Sequence, residues 1–123
     1  MILGIGIDIV HVSRMREWQA EDELLLRYFH PRELEEAKAK GLSFVHSLAA
    51  RFAAKEAYGK ALGTGLHNLR LKDIRISNDA KGKPDLILYG SAKERFTQIG
   101  GTTAFVSLTH ERDNAIAVVV LEG

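Results

Sequence analysis

Two acidic residues and one histidine are the side chains of this sequence best suited to chemistry. Asp8 lies in an apolar N-terminal stretch, Glu56 in an alanine-rich stretch, and His110 where a later apolar stretch meets a turn. Mg²⁺ is usually held by one or two carboxylates together with waters and substrate phosphate oxygens. The chain has no cysteine, which excludes a thiol nucleophile and a thiolate metal site. The three residues predict Mg²⁺-assisted chemistry at a phosphate group, although a lone histidine at a strand end is more often only a structural residue.

Three basic residues lie close to Glu56 in the sequence. Arg51 and Lys55 are one helical turn apart, a spacing at which like charges cost roughly 0.2–0.5 kcal/mol unless an anion lies nearby. Lys60 follows Glu56 by one turn, which is the favourable order for an ion pair. These cations would neutralise substrate phosphates, since phosphoryl transfer depends mostly on positioning and charge. The same spacing fits an ordinary solvated helix edge equally well.

A long helix must carry these charges. The stretch from Phe44 to Leu62 predicts about five helical turns, because Ala, Leu, Lys, Arg and Glu dominate it. Large apolar residues fall on one side and alanines on the other, so we expect the helix to be packed on both sides. Gly63 is the predicted left-handed cap, and the loop Gly63-Thr64-Gly65 allows a ligand to approach the backbone closely.

The N-terminal stretch Met1–Val10 predicts the strand that carries Asp8. Its large apolar side chains share one face, which we expect to meet the core: Leu3, Ile5, Ile7 and Ile9. Gly4, Gly6 and Asp8 share the other face, and glycines in a strand often mark close approach of a ligand or of another backbone. A buried aspartate is costly unless it is paired or bound to metal, whereas an exposed strand edge is the simpler alternative. Gly4-Ile5-Gly6 is not a dinucleotide fingerprint, because the third glycine is missing.

The order of the remaining elements indicates an α+β fold. Val12–Phe29 is predicted helical with a break near Glu21, and Pro31 begins a charged helix, expected to be solvated, that ends before Gly41. Strands dominate after Gly65 and end with Thr103–His110 and Ala115–Leu121. We expect one compact domain over residues 1–123, mainly antiparallel sheet packed on the long central helix.

Composition excludes several classes of protein. A formal charge of +1 argues against a general nucleic-acid binder. No stretch approaches the roughly 20 apolar residues of a membrane span, and the N-terminus lacks the basic leader of a signal peptide. With no cysteine present, we expect a cytoplasmic protein with no membrane association.

Four motifs together resemble the holo-[acyl-carrier-protein] synthases, a family of phosphopantetheinyl transferases. They are, in chain order and at fitting spacing, Gly4-Ile5-Gly6-Ile7-Asp8-Ile9-Val10, Arg51-Phe52-Ala53-Ala54-Lys55-Glu56-Ala57, Gly82-Lys83-Pro84 and Ser107-Leu108-Thr109-His110. The resemblance covers essentially the whole chain, and the helix motif is highly specific. His30 departs from the family pattern, in which a threonine commonly precedes the helix that begins with proline.

The resemblance implies a reaction. Members of the family move the 4′-phosphopantetheine arm of coenzyme A onto a serine of apo-acyl carrier protein, release adenosine 3′,5′-bisphosphate, and support fatty acid biosynthesis. By this resemblance Asp8 and Glu56 match Mg²⁺ ligands, and Glu56, Lys60 and His110 match catalytic positions. Either Glu56 or a water bound to the metal takes the serine proton.

The resemblance also implies binding residues. Arg51 and Lys55 would face the phosphates of coenzyme A, and Arg14 would meet the acidic carrier protein. Two glycine-containing segments would complete the coenzyme A site: Gly63-Thr64-Gly65 and Gly82-Lys83-Pro84.

A homotrimer is the predicted assembly. The stretch Ala115–Leu121 is apolar on both faces, and a small domain has few helices with which to cover both. Closed cyclic symmetry is the common solution. The number three comes from the resemblance, which also implies that a neighbour's Gly82-Lys83-Pro84 turn closes the site.

Two other functions remain as alternatives. A non-catalytic ligand-binding module explains the glycines but not the acid pair. A metal-dependent phosphodiesterase explains the acids but usually requires more histidine and aspartate ligands than this chain offers.

Overall fold

A computed structural model describes residues 1–123. Five strands and five helices follow one another along the chain, joined by short 3₁₀ turns at Gly41–Ser43 and Leu71–Asp73. In chain order they are β1 (Ile2–His11), α1 (Val12–Trp18), α2 (Asp22–Tyr28), α3 (Pro31–Lys38), α4 (Phe44–Leu62), β2 (Ile74–Asn78), β3 (Pro84–Leu88), α5 (Gly90–Gln98), β4 (Thr103–Glu111) and β5 (Asn114–Glu122). None of the helices is both long enough and apolar enough to cross a membrane.

The strands form two antiparallel sheets. The larger sheet has the order β1-β5-β4, and the smaller is the hairpin β2-β3. Helix α4 packs across one face of the larger sheet and also contacts α1, α3 and β2. The α+β fold class, with antiparallel sheet against a long helix, is therefore confirmed.

Helix α4 begins and ends where the sequence indicates. It contains 19 residues, and Gly63 terminates it in the left-handed conformation with a φ of 82°. Most of its alanines are buried, although Ala50 is only partly so, and Leu48 and Phe52 are also buried. Because the helix is enclosed on most sides, Arg51 and Lys55 are buried with it.

The orientation of β1 is the reverse of the prediction. Its apolar residues face away from α4, and Ile5, Ile7 and Ile9 are 61%, 61% and 59% exposed. The glycine face meets the helix instead, because a Cβ atom on Gly4 or Gly6 would overlap a backbone carbonyl oxygen of α4. Glycine therefore allows the strand backbone to approach the helix backbone, which is one of the two interpretations that glycine in a strand permits.

The outward face of the larger sheet is a continuous apolar surface. Strand β5 lies in its centre, with its inward side chains fully buried: Ala115, Ala117, Val119 and Leu121. On the outward side Ile5 pairs with Val120, which pairs with Phe105, itself 52% exposed. One row along, Ile7 pairs with Val118. We call this surface of β1, β5 and β4 the outer sheet face, and a single chain leaves it uncovered.

Helix α3 is not the solvated helix that its charge predicted. Glu33, Leu34 and Ala37 are buried against α4 and β2. His30 caps the helix: its Nδ1 accepts a hydrogen bond of 3.1 Å from the amide of Arg32, and its own amide donates to Glu33 Oε1 at 2.9 Å. This reciprocal capping box fixes the start of α3 with His30 as the capping residue.

Gly6→Ala should destabilise the protein severely, because the new methyl group would have to push β1 away from α4. Overpacking typically costs 1–3 kcal/mol, and here the obstruction is backbone, so we expect a loss of about 3 kcal/mol or more in free energy of unfolding. Gly41→Ala is the control, since Gly41 has a φ of 57° with open space around it and should lose only about 1–2 kcal/mol. Thermal and urea unfolding provide the comparison, and equal losses for the two variants would contradict the packing argument.

Candidate active site

The contact between β1 and α4 places two carboxylates side by side. Asp8 projects from the glycine face of β1, and Glu56 projects from the facing side of α4. Lys60 lies one turn beyond Glu56, and its Nζ donates 3.0 Å hydrogen bonds to Asp8 Oδ1 and to the carbonyl of Ile7. Three residues predicted to act together, Asp8, Glu56 and Lys60, therefore lie together in one chain. We call them the acid site.

Electrostatics within the acid site favour a bound cation. Partial burial raises the pKa of the Glu56 carboxyl, and the negative charge of Asp8 raises it further, while Arg14 and Lys60 oppose the shift. The Glu56 side chain accepts no hydrogen bond from the chain, so its oxygens have no protein partner. Two carboxylates that disfavour each other's charge suit Mg²⁺, which commonly takes one or two protein carboxylates and completes its shell with water and phosphate. No group of three or more acidic, histidine or cysteine side chains that could hold a metal exists in the chain, so the acid site offers two protein ligands.

Arg14 lies close to the acid site and is exposed. Its guanidinium carbon is 5.0 Å from the Phe52 ring centroid and 5.7 Å from that of Trp18, within the range of cation–π attraction. Trp18 in turn stacks on Tyr28 with centroids 5.4 Å apart. The aromatic contacts hold Arg14 on the surface beside Glu56.

A separate polar cleft of about 830 Å³ lies at the other end of α4. Its walls come from the start of α4, the β2-β3 hairpin and the end of β4, and five of its residues carry basic side chains. These five are Lys40, His46, Arg51, His110 and Arg112. The excess of positive and histidine groups in one open cleft suits a phosphate-bearing ligand.

His110 belongs to this cleft and not to the acid site. It lies on β4, opposite Ala115 of β5, which is opposite Val10 of β1. Two strand spacings, about 10 Å, therefore separate its strand from the strand of Asp8. The prediction that Asp8, Glu56 and His110 form one constellation does not hold within a single chain.

Arg51 lines the cleft but is largely committed to the protein. Its side chain is 2% exposed, and it donates to Ser47 Oγ, the carbonyl of Ile76, Asn78 Oδ1 and Glu36 Oε2. The spacing of Arg51 and Lys55 predicted a nearby anion, and Glu36 on α3 provides it for Arg51. Any contact between Arg51 and a ligand phosphate uses what these bonds leave free.

The predicted role of Lys55 is wrong. It was expected to face coenzyme A phosphates, but its side chain is completely buried between α4, α3 and β2. Its Nζ donates to Glu33 Oε1 at 2.6 Å and to the carbonyls of Leu71 and Ile74. Burial lowers the pKa of Lys55, and the charge of Glu33 opposes that shift. With all three protons bonded inside the protein, Lys55 holds the fold together and cannot reach a ligand.

The two predicted glycine-containing segments lie far apart. Gly82 and Pro84 line the cleft of their own chain, whereas Lys83 between them does not. Gly63-Thr64-Gly65 follows the opposite end of α4, about 18 Å along the helix axis from Arg51. There the amide of Gly65 donates to the carbonyl of Gly59 at 3.0 Å, so this loop closes the helix. The chain does not bring these two segments to one site.

Two residues of the cleft, His46 and Arg112, were not predicted from the sequence. The rings of His46 and His110 lie 6.1 Å apart, and His46 Nε2 is 3.4 Å from the carbonyl oxygen of Arg112. The available signal for His46 was helical spacing: His46 and Ser47 lie one turn before Ala50 and Arg51, and all four line the cleft. Nothing in the spacing indicated the arrival of Arg112, which requires the turn between β4 and β5.

Comparison with known proteins decides the family. A family model described as the 4′-phosphopantetheinyl transferase superfamily matches residues 4–119. The chain belongs to this superfamily. A holo-[acyl-carrier-protein] synthase of Treponema denticola is 52% identical to this transferase over 123 residues and covers 100% of both chains. A second synthase, from Geobacter sp. strain M21, is 46% identical over 125 residues and covers 99% of each chain.

Solved structures agree with the sequence relatives. The transferase superposes on a holo-[acyl-carrier-protein] synthase of Neisseria meningitidis with a TM-score of 0.88, 38% identity and 100% of both chains covered. A synthase of Helicobacter pylori, solved in complex with coenzyme A, gives a TM-score of 0.82 at 35% identity over 96% of this chain and 99% of that one. The predicted family is confirmed, and the chain is an enzyme of the phosphopantetheinyl transferase type.

Lys55→Met should destabilise the protein far more than Lys60→Met does, because Lys55 is buried and Lys60 is exposed. Removing one partner of a buried ion pair typically costs 3–5 kcal/mol, so we expect Lys55→Met to lose roughly that much stability because Glu33 stays buried without its cation. Lys60→Met is the matched control, since the exposed Lys60 should contribute little stability. Urea unfolding at one protein concentration tests the difference. Equal midpoints for the two variants would contradict the structural role given to Lys55.

Proposed function

We propose that this transferase moves the 4′-phosphopantetheine arm of coenzyme A to a serine of apo-acyl carrier protein. The reaction is Mg²⁺-dependent, releases adenosine 3′,5′-bisphosphate, and serves fatty acid biosynthesis in the cytoplasm. The acid site carries the proposal: in a chain of this superfamily, the β1–α4 contact sets Asp8 and Glu56 together with Lys60 beside them. The Helicobacter pylori relative in complex with coenzyme A supports the choice of donor.

The residues of the acid site have distinct roles in this proposal. Asp8 and Glu56 hold Mg²⁺, and the chemistry that the ion supplies when bound is neutralisation of the coenzyme A pyrophosphate. Lys60 uses two of its three protons within the chain, which leaves one for a phosphate oxygen. The serine oxygen bonds to phosphorus as the pyrophosphate P–O bond breaks, and either Glu56 or a water takes the serine proton.

The complete site forms, we propose, at the boundaries of a homotrimer. The outer sheet face is apolar and uncovered in one chain, and β5 lies between the strand of His110 in the cleft and the strand of Asp8 in the acid site. Association through the outer sheet face would bury the apolar surface and bring the cleft of one subunit toward the acid site of its neighbour. His110 and the turn Gly82-Lys83-Pro84 would then act on coenzyme A held by the neighbour's Asp8 and Glu56.

One incubation tests the reaction. Protein, coenzyme A, Mg²⁺ and apo-acyl carrier protein are combined, and the carrier is weighed by mass spectrometry. A gain of one phosphopantetheine arm supports the transferase. Hydrolysis of coenzyme A without transfer indicates a phosphodiesterase, and binding without turnover indicates a binding module. Either of these two results contradicts the proposal.

Asp8→Ala and Glu56→Ala should each lower the transfer rate by roughly 100-fold or more, because the metal's charge stabilisation supplies several kcal/mol to the transition state. Both side chains are polar and only partly buried, so circular dichroism and melting temperature should stay near normal. Glu94→Ala, an exposed acid on α5, is the control. Near-normal rates for either acid-site variant at saturating Mg²⁺ would reject the metal assignment.

Val118→Arg should break the trimer and activity together, because it places a charge at the centre of the outer sheet face. Light scattering of the unmutated protein should give about three times the mass of one chain, and the variant should give less. Leu42→Arg introduces the same charge at a fully exposed apolar residue away from the sheet and should change neither mass nor rate. A fully active unmutated monomer would rule out the assembly.

Arg14→Glu should raise KM for the carrier protein by about tenfold while leaving KM for coenzyme A largely unchanged. The reason is that Arg14 lies exposed beside the acid site, where an acidic carrier would dock. Added salt should have a similar effect on the unmutated enzyme, because exposed charge pairs are screened within about 8–10 Å at physiological ionic strength. Lys93→Glu on α5 controls for net charge. An unchanged carrier KM for Arg14→Glu would remove this surface from the docking model.

A further inference from the structure

Glu36 on α3 bridges two arginines that come from different parts of the fold. Its Oε2 accepts from Nη2 of Arg51 on α4 at 3.3 Å, and its Oε1 accepts from Nη2 of Arg75 on β2 at 3.0 Å. Both guanidinium groups are almost completely buried, with side-chain exposures of 2% and 11%. The bridging carboxylate therefore separates two buried positive charges that would otherwise repel each other.

The hydrogen bonds of Arg51 leave it little freedom. A guanidinium has five N–H donors. The Nε proton goes to Ser47, one Nη1 proton goes to the carbonyl of Ile76, and both Nη2 protons go to Asn78 and Glu36. One Nη1 proton remains for a ligand in the cleft, and the other four bonds set its direction.

The same bonds connect Glu36 to the far wall of the cleft. Asn78 accepts from Arg51 at 3.0 Å, and its Nδ2 donates to the carbonyl of Gly82 at 3.0 Å. Gly82 lines the cleft in the turn between β2 and β3. Hydrogen bonds thus run from Glu36 through Arg51 and Asn78 to the cleft wall.

Helix α3 is a rigid support for this connection. The capping box at His30 fixes its first turn, and the buried Glu33 binds Lys55 one turn before Glu36. On the other side, Arg75 is held by Tyr89, whose hydroxyl lies 3.4 Å from Nη1. Because its backbone and its second partner are both fixed, Glu36 can determine where Arg51 points.

We propose that Glu36 is a positioning residue for the cleft: it holds Arg51 and the hairpin turn in the geometry that binds the phosphate-bearing nucleotide part of coenzyme A. Glu36 does not touch the ligand itself. The inference rests on the proposed function, because coenzyme A is the ligand that this function assigns. It adds a residue outside the four sequence motifs to the determinants of donor binding.

Glu36→Gln is the direct test. A glutamine has one acceptor oxygen in place of two and no charge, so one arginine loses its partner and the two guanidinium groups repel. Calorimetric titration with coenzyme A at fixed Mg²⁺ should show affinity about tenfold weaker, with KM for coenzyme A raised by a similar factor. KM for the carrier protein and kcat should stay within about twofold. A purely structural role would lower the melting temperature without this difference between the two substrates.

Two further variants sharpen the result. Glu35→Gln removes a neighbouring charge from the exposed side of α3, where it has no side-chain partner, and should leave affinity unchanged. The double variant Glu36→Gln/Arg75→Gln removes the competing cation, so the amide oxygen introduced on α3 is free to accept from Arg51, and affinity should recover most of the loss. A double variant that binds as weakly as Glu36→Gln would contradict the positioning role.

Different results would reject the role of Glu36 and the proposed transfer from coenzyme A. An unmutated protein that does not bind coenzyme A would reject the proposed function. An unmutated protein that binds coenzyme A, with Glu36→Gln binding equally or more tightly, would overturn only the role of Glu36.

Discussion

The close approach of β1 to α4 governs the packing and the chemistry of this protein. Gly4 and Gly6 have no side chain to hold the strand away from the helix, and a Cβ atom at either residue would overlap helix backbone. Asp8 follows on the same face and therefore projects toward Glu56. The acid site forms because the backbones of β1 and α4 approach more closely than any side chain other than glycine would allow. Gly4 and Gly6 therefore determine both how the sheet packs on the helix and where the two carboxylates lie.

That contact also decides which face of the sheet is left uncovered. A strand has two faces, and once the glycine face of β1 is committed to α4, the isoleucine face must point outward. Strand β5 continues the pattern with small or branched residues inward and Val118 and Val120 outward. One physical requirement, backbone proximity on one side, therefore produces an apolar surface on the other, and this surface suits association with further copies of the chain.

A second group of interactions attaches α3 to α4 through buried charge. Glu33 and Glu36 are one turn apart on α3, and they meet Lys55 and Arg51, which are one turn apart on α4. Burying a carboxylate and an ammonium group costs several kcal/mol each unless hydrogen bonds satisfy both. Here Lys55 donates three bonds, and Glu33 also accepts from the amides of His30 and Ile76. Complete satisfaction of these groups explains how a helix motif rich in charge can lie in the interior.

The sequence by itself determined most elements, the bounds of the long helix at Phe44 and Leu62, and the α+β class. Periodicity, capping residues and residue chemistry are properties of short stretches, so they can be read without the fold. They also pointed to Asp8, Glu56 and Lys60 as candidate site residues and to an anion near Arg51. They could not define which face of β1 is buried, that α3 supplies the anions, or that His110 lies in a separate cleft. Those outcomes depend on how closely two backbones approach and on which charges reach each other from distant parts of the chain. Tertiary packing decides them, since an isoleucine face and a glycine face can both satisfy the alternation of a strand.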